Sequence, residues 1–146
     1  MNMKSELKMT ISAVIANDAF VRSSVAAFCL PLEPSIDGLE DIKTVVSEAF
    51  SNSVIHGYDG DKSKFVEVRV SLEDGKLEII VKDDGCGIAD VEKAIQPFFT
   101  TKPEQERSGM GFTLMGTFMD DMQVTSAVGK GTSVVMTKKI SEGKDA

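Results

Sequence analysis

Two runs of alternating residues, the second interrupted only at Ile80, face each other across a four-residue turn. Val66, Val68, Val70 and Leu72 alternate with Glu67, Arg69 and Ser71. After Glu73-Asp74-Gly75-Lys76, the residues Leu77, Ile79 and Val81 resume the apolar side. This is the pattern of a β-hairpin. Alternation this regular requires a sheet with one face packed and the other in water, so the chain must bring amphipathic helices to one face only.

Two such helices are readable. Asn17 is placed to cap a helix that starts at Asp18, with Phe20, Val21, Ser24, Val25 and Phe28 as its stripe. Arg22 lies off that stripe and is expected to face out. Pro31 and Pro34 separate it from a longer helix, about 36–55, whose core face is Ile42, Val45, Val46, Ala49, Phe50, Ser53 and Val54. Gly57 reads as its stop and Tyr58 to Lys62 as loop. Lys8 to Ile15 reads as a first strand, Ala89 to Ile95 as a short helix, and Gly109 to Met119 as another helix. Met122 to Ala127 and Thr132 to Lys139 are two closing strands around Val128-Gly129-Lys130-Gly131. Residues 141–146 form a polar tail. The sum is one domain, 1–146, an α/β two-layer sandwich of helices on one face of a mixed, mostly antiparallel sheet. Parallel doubly wound folds fit poorly, because the strands come in hairpins.

Composition removes several function classes. The net charge is −7, against the basic face that nucleic acid needs. No apolar run approaches a membrane span, and no charged-then-apolar leader opens the chain, so no secretory signal is expected. Cys29 and Cys86 lack metal-ligand spacing, and reduced thiols in the cytoplasm are the simplest expectation. His56 is the one histidine, which excludes a multi-histidine zinc site.

Four motifs carry chemistry. The first is Glu48-x-x-x-Asn52-x-x-x-His56. Steps of four advance about 40° around a helix, so Glu48 and Asn52 share one flank of the core stripe while His56 drifts toward the core. A carboxylate and an amide oxygen one turn apart suit magnesium, which takes oxygen ligands and keeps several waters. A solvated flank is the bland alternative, and His56 alone reads as a packing or helix-terminus residue. The second is Asp83-Asp84-Gly85-Cys86-Gly87-Ile88. Asp83 is in phase with Leu77, Ile79 and Val81 and should point inward, where a carboxylate needs a donor; the amino group of a purine would supply one. A plain turn after a strand is the alternative. The third is the stretch from Gln96 to Phe112, a Pro-bounded loop with hydroxyls and cations that runs into Ser108-Gly109-Met110-Gly111-Phe112. Glycines opening a helix let a polyanion approach free backbone N–H groups at the positive end of the helix dipole. The loop, about 96–108, reads as a lid. The fourth is Gly129-Lys130-Gly131-Thr132, where Thr132 shares a strand face with Val134 and Met136 and should lie near Asp83. In a chain of net charge −7, a bound polyphosphate needs such local devices, with Lys102 and Arg107 as the nearby cations.

In this order the motifs resemble the GHKL superfamily of ATP-binding domains, the Bergerat-type fold, over nearly the whole chain. More narrowly, Ser47-Glu48-Ala49 leading to His56-Gly57-Tyr58, and Pro97-Phe98-Phe99-Thr100-Thr101-Lys102-Pro103 running on to Arg107-Ser108-Gly109-Met110-Gly111-Phe112, resemble the anti-sigma F factors of spore-forming bacteria. That family unites a serine protein kinase and an anti-sigma factor. The resemblance implies ATP or ADP with Mg²⁺. Asn52 would hold the metal and Glu48 would act as general base on the substrate serine. Asp83 would accept from the adenine amino group beside Thr132, with Gly85 and Gly87 shaping the pocket. Thr100, Thr101 and Lys102 would lie in the lid, with Arg107, Ser108, Gly109, Met110 and Gly111 around the phosphates. Arg22 would contact protein partners. The implied partners are a sigma factor of the sigma F type, a phosphorylatable anti-anti-sigma factor and a second copy in a homodimer, with no nucleic acid and no membrane. Alternatives are a general-stress anti-sigma kinase relative, a nucleotide-gated sigma-binding protein without catalysis, and a self-hydrolysing ATPase. The short chain without a transducer domain argues against the last. Histidine kinases fit less well, because the only histidine lies inside the nucleotide motif.

Overall fold

The structure, a computed structural model, describes residues 4–96 and 111–140. Strand β1 runs Ser5–Ser12 and pairs antiparallel with β2, Phe65–Glu73, Ser5 opposite Leu72 and Ser12 opposite Phe65. It lies three residues earlier than its alternation suggested, because the chain leaves the sheet after Ser12 and makes a tight turn at Ile15–Asn17. Asn17 does not cap the next helix with its side chain. Its amide instead donates to the Ser12 carbonyl at 3.0 Å and holds that turn.

Helix α1, Asp18–Phe28, buries Val21, Val25 and Ala26. Phe20, expected in the stripe, is 60% exposed, since α1 lies rotated toward the Ala26 side. A short turn at Leu30–Leu32 leads to α2, Ile36–Asn52. Here the N-cap is Ser35, whose hydroxyl oxygen accepts the Gly38 N–H at 2.9 Å. Such a cap is worth about 1 kcal/mol. The expected core face of α2 is buried in full: Ile42, Val45, Val46, Ala49 and Phe50, then Ser53 and Val54. Burying an aliphatic or aromatic side chain of this size contributes about 1.5–3 kcal/mol, so α2 is the main cover of the sheet. It ends earlier than position 55. Ser53–Gly57 form a π-helical turn, a widening that often accompanies functional sites.

The hairpin closes through Asp74 and Gly75, both at positive φ (52° and 74°), the two-residue turn whose twist suits paired strands. Strand β3, Lys76–Asp83, sets Leu77, Ile79 and Val81 opposite Leu72, Val70 and Val68. A short α3, Val91–Ala94, is capped by Asp90, which accepts the Lys93 N–H at 3.0 Å. Helix α4, Gly111–Phe118, buries Met115, and Met119 follows it into the core. The Lys138 ammonium donates to the Phe118 carbonyl at 3.0 Å and so fastens the end of α4 to the sheet. Strands β4, Asp121–Ala127, and β5, Gly131–Lys139, complete a sheet of order β1-β2-β3-β5-β4. Where the sequence allowed a mixed sheet, all four described pairings are antiparallel.

The core lies between the sheet and α1, α2 and α4. The other face carries Lys8, Glu67, Arg69 and Lys82, with Lys8 beside Arg69 and Glu67 beside Lys82 in the register. Among the described residues, no helix is long and apolar enough to cross a membrane. Both cysteines are free thiols, and burial pushes Cys29 up to about 12.

Candidate functional site

Asp83 ends β3 on the helix-covered face, as its phase required, and is 4% exposed. The register sets it opposite Thr132 on β5. Its Oδ1 accepts the Gly85 N–H at 2.9 Å, and the Ser53 hydroxyl and the Thr132 N–H also donate to the carboxylate. Burial pushes the carboxyl above its ordinary range. Those three hydrogen bonds oppose the rise and the neighbouring Asp84 charge adds to it. An ionised carboxylate offers about four acceptor sites, and three donors of the described residues face this one.

Three glycines decide how closely the backbone can surround this group. A Cβ on Gly57 would sit 2.9 Å from the Asp83 carboxylate, and one on Gly85 only 2.1 Å from the Gly57 carbonyl oxygen. Gly57 is therefore required by close approach to Asp83 and not only as a helix stop. Gly87 has φ +78°, and a Cβ there would meet the Ala127 carbonyl at 2.0 Å. Backbone hydrogen bonds hold the same contacts. The Cys86 N–H donates to the Gly57 carbonyl at 2.8 Å, and the Gly129 N–H donates to the Cys86 carbonyl at 2.7 Å. The Cys86 thiol donates to the His56 carbonyl at 3.2 Å. The segment from Gly85 to Gly87 is thus clamped between the π-helical turn that follows α2 and the β4–β5 turn.

Two polar residues in this clamp were given no role by the sequence. Tyr58 sits in the stretch read as plain loop, yet it is buried. Its hydroxyl accepts the Asp84 N–H at 2.8 Å and donates to the Phe65 carbonyl at 2.7 Å. Ser126, on β4 opposite Thr132, accepts the Ile88 N–H at 2.7 Å and lies 2.8 Å from the Thr132 hydroxyl. A buried tyrosine directly after a helix-ending glycine, and a serine in phase with Met122 and Val124, are the signals that could have drawn attention to them.

Glu48 and Asn52 lie on the same flank of α2, as four-residue spacing dictates. The structure adds what faces them: Gly111, the first described residue of α4. A Cβ on Gly111 would lie 2.9 Å from Glu48 Oε1 and 3.3 Å from Asn52 Nδ2. The start of the helix that follows the glycine motif, the carboxylate and the amide therefore form one locus. Thr100, Thr101, Lys102, Arg107, Ser108, Gly109 and Met110 lie outside the described residues. Among the described residues no group of three or more His, Cys, Asp or Glu is arranged to hold a metal ion. An Asn52 amide oxygen nonetheless suits magnesium, which is commonly held by one or two protein ligands plus phosphates and water.

Arg22 is only partly exposed, its side chain at 39%. It pairs with Asp18 one turn earlier, and the other oxygen of Asp18 accepts the Ser47 hydroxyl at 2.8 Å. Arg22 lines a groove of about 240 Å³ between α1 and α2 with Glu40, Lys43, Thr44, Ser47 and Glu48. The arginine and the carboxylate on the Asn52 flank thus share one concave surface.

Comparison with known proteins agrees with this geometry. Residues 12–138 match the family model of the histidine kinase-like ATPase domain. The anti-sigma F factor of Geobacillus sp. (strain WCH70) is 51% identical over 142 residues, covering 97% of each chain. That of Bacillus subtilis (strain 168) is 48% identical, again over 97% of each. Among solved structures, the RsbU and RsbW domains of a Mycobacterium tuberculosis protein align at 20% identity and a TM-score of 0.67, over 92% of this chain and 32% of that one. A blue-light activated histidine kinase domain from Erythrobacter litoralis aligns at a TM-score of 0.57 and 20% identity, over 88% and 63%. A sheet with helices on one face, an inward aspartate clamped by glycines, and curated relatives at half identity along almost the whole length lead to one assignment: the chain belongs to the anti-sigma F factor family, within the histidine kinase-like ATPase domains.

Proposed function

We propose that the protein is an anti-sigma factor that is also a serine protein kinase, moving the γ-phosphoryl group of ATP to a serine of an anti-anti-sigma factor. The observation that carries the reading is the single locus of Glu48, Asn52 and Gly111. Phosphoryl transfer is mostly positioning and charge stabilisation, and this locus has the parts for it. Asp83 accepts from the adenine amino group, and Thr132 lies beside it. Asn52 would hold Mg²⁺, which supplies neutralisation of phosphate charge. The α4 N-terminus at Gly111 offers N–H groups to the phosphates. Lys102 and Arg107 supply cations, and Thr100, Thr101, Ser108, Gly109 and Met110 complete the cover in this reading. Glu48 takes the proton from the serine hydroxyl as its oxygen bonds to the γ-phosphorus and the bond to the ADP oxygen breaks. General base action of this kind contributes about 10²–10⁴-fold.

The groove that joins Arg22 to Glu48 supports partner docking on the same surface. A sigma factor of the sigma F type and the serine-bearing protein would compete for it in the cytoplasm. Among the described residues β1 lies at the edge of the sheet, a position compatible with the proposed homodimer. The test is incubation of the parent and Glu48→Ala with labelled ATP and the serine-bearing partner. The parent labels the partner; the variant does not, yet retains ATP affinity. An unlabelled partner with the parent leaves only a nucleotide-gated binder, and full labelling by the variant removes Glu48 as the base.

A further inference from the structure

We propose that Ser126 sets the nucleobase preference of the site by fixing the direction of the Thr132 hydroxyl proton, an inference that rests on the adenine reading of the Asp83 pocket. Ser126 Oγ has three polar contacts: the Ile88 N–H at 2.7 Å, the Gly131 carbonyl oxygen at 3.0 Å and Thr132 Oγ1 at 2.8 Å. A hydroxyl has one proton and two lone pairs. The amide can only donate and the carbonyl can only accept. One assignment therefore satisfies all three contacts. Ser126 donates to Gly131, accepts from Ile88, and accepts the Thr132 hydroxyl proton in its second lone pair.

Thr132 is left with lone pairs alone to offer a ligand. Asp83, opposite it in the register, is an acceptor too, with three of its sites filled by the Gly85 N–H, the Ser53 hydroxyl and the Thr132 N–H. The row Asp83–Thr132–Ser126 across β3, β5 and β4 is thus polarised in one sense, acceptor toward the ligand. It accepts a purine 6-amino group and opposes a 6-oxo group, which would set acceptor against acceptor. A rotatable threonine hydroxyl could satisfy either. Ser126 touches no ligand in this scheme; it is a positioning residue that makes the pocket selective.

The test compares ADP with IDP, in which a 6-oxo group and an N1–H replace the 6-amino group and the bare N1, by calorimetry in the presence of Mg²⁺. The full chain is used as parent, Ser126→Ala and Ser126→Thr, with thermal melts to check folding. The parent prefers ADP. In Ser126→Ala the preference falls about tenfold, while Ser126→Thr, which keeps the hydroxyl, stays within roughly threefold of the parent. A merely structural serine would weaken both nucleotides alike, so an unchanged ratio in folded Ser126→Ala overturns the proposal and leaves the nucleotide site intact. A parent that binds neither nucleotide overturns both this inference and the adenine reading. Should Ser126→Ala not fold, Ser126→Cys, whose sulfur is a weak donor and acceptor, carries the same expectation.

Discussion

Replacing Gly111 by alanine separates stability from the proposed catalysis. The added Cβ would lie 2.9 Å from Glu48 Oε1, where ordinary contact begins at 3.4 Å, so the carboxylate oxygen must withdraw by about 0.5 Å. Asn52 Nδ2, at 3.3 Å, must give by about a tenth of an ångström. Both are ends of flexible side chains, so folding is barely opposed. Alanine also forms helix better than glycine by up to about 1 kcal/mol in a helix interior, and less in a first turn. A gain of 1 kcal/mol raises the melting temperature of a chain near this size by roughly 2–4 °C. Gly111→Ala should therefore melt at the parent's temperature or up to a few degrees above it. Catalysis moves the other way. On the proposed kinase reading, a misplacement of about 1 Å costs on the order of 10²-fold, so half of that should lower single-turnover transfer to the serine partner by about tenfold. The assays are differential scanning calorimetry and quench-flow with labelled ATP at saturating nucleotide. A variant that transfers at the parent's rate would refute the shared locus of Gly111 and Glu48. So would a rate that falls only as far as the folded fraction falls.

Two further outcomes follow from buried polar groups. Tyr58→Phe removes one oxygen that serves both the Asp84 N–H and the Phe65 carbonyl; with two part-buried hydrogen bonds lost at roughly 0.5–1.5 kcal/mol each, urea denaturation should show a loss of about 1–2 kcal/mol, and an unchanged midpoint would show that water replaces the hydroxyl. Asp83 has a folded-state pKa raised above its ordinary 3.8, chiefly by burial, so its contribution to stability is fully present below that value and is lost as pH rises through the folded value. Melts of the nucleotide-free parent and Asp83→Asn should therefore show the parent losing ground to the variant as pH climbs from about 4 toward neutrality, and a pH-independent difference would contradict a raised pKa.

Much of this protein is written in local periodicity. A two-residue alternation dictates which side chains of β2 and β3 go inward, and it carries Asp83 with them because the phase cannot change within a strand. The helical repeat of α2 dictates its buried face, and it puts Glu48 and Asn52 on one flank whatever lies opposite. Where local signals compete, the reading slips. Asn17 binds the preceding turn in place of the helix N-terminus, and Phe20 yields its place in the stripe to Ala26, because the angle at which α1 lies on the sheet is not a local property.

What the tertiary structure alone decided is which distant segments meet. Gly57, Asp83 and Gly85 come within contact distance, Tyr58 reaches Asp84 across 26 positions of sequence, Ser126 reaches Ile88 across 38, and Gly111 closes on Glu48. No spacing rule encodes such meetings. They follow from the order in which antiparallel strands pair and from how closely a backbone without a Cβ can approach its neighbour. The sequence determined the kinds of groups available and the faces they occupy; chain closure determined which of them meet.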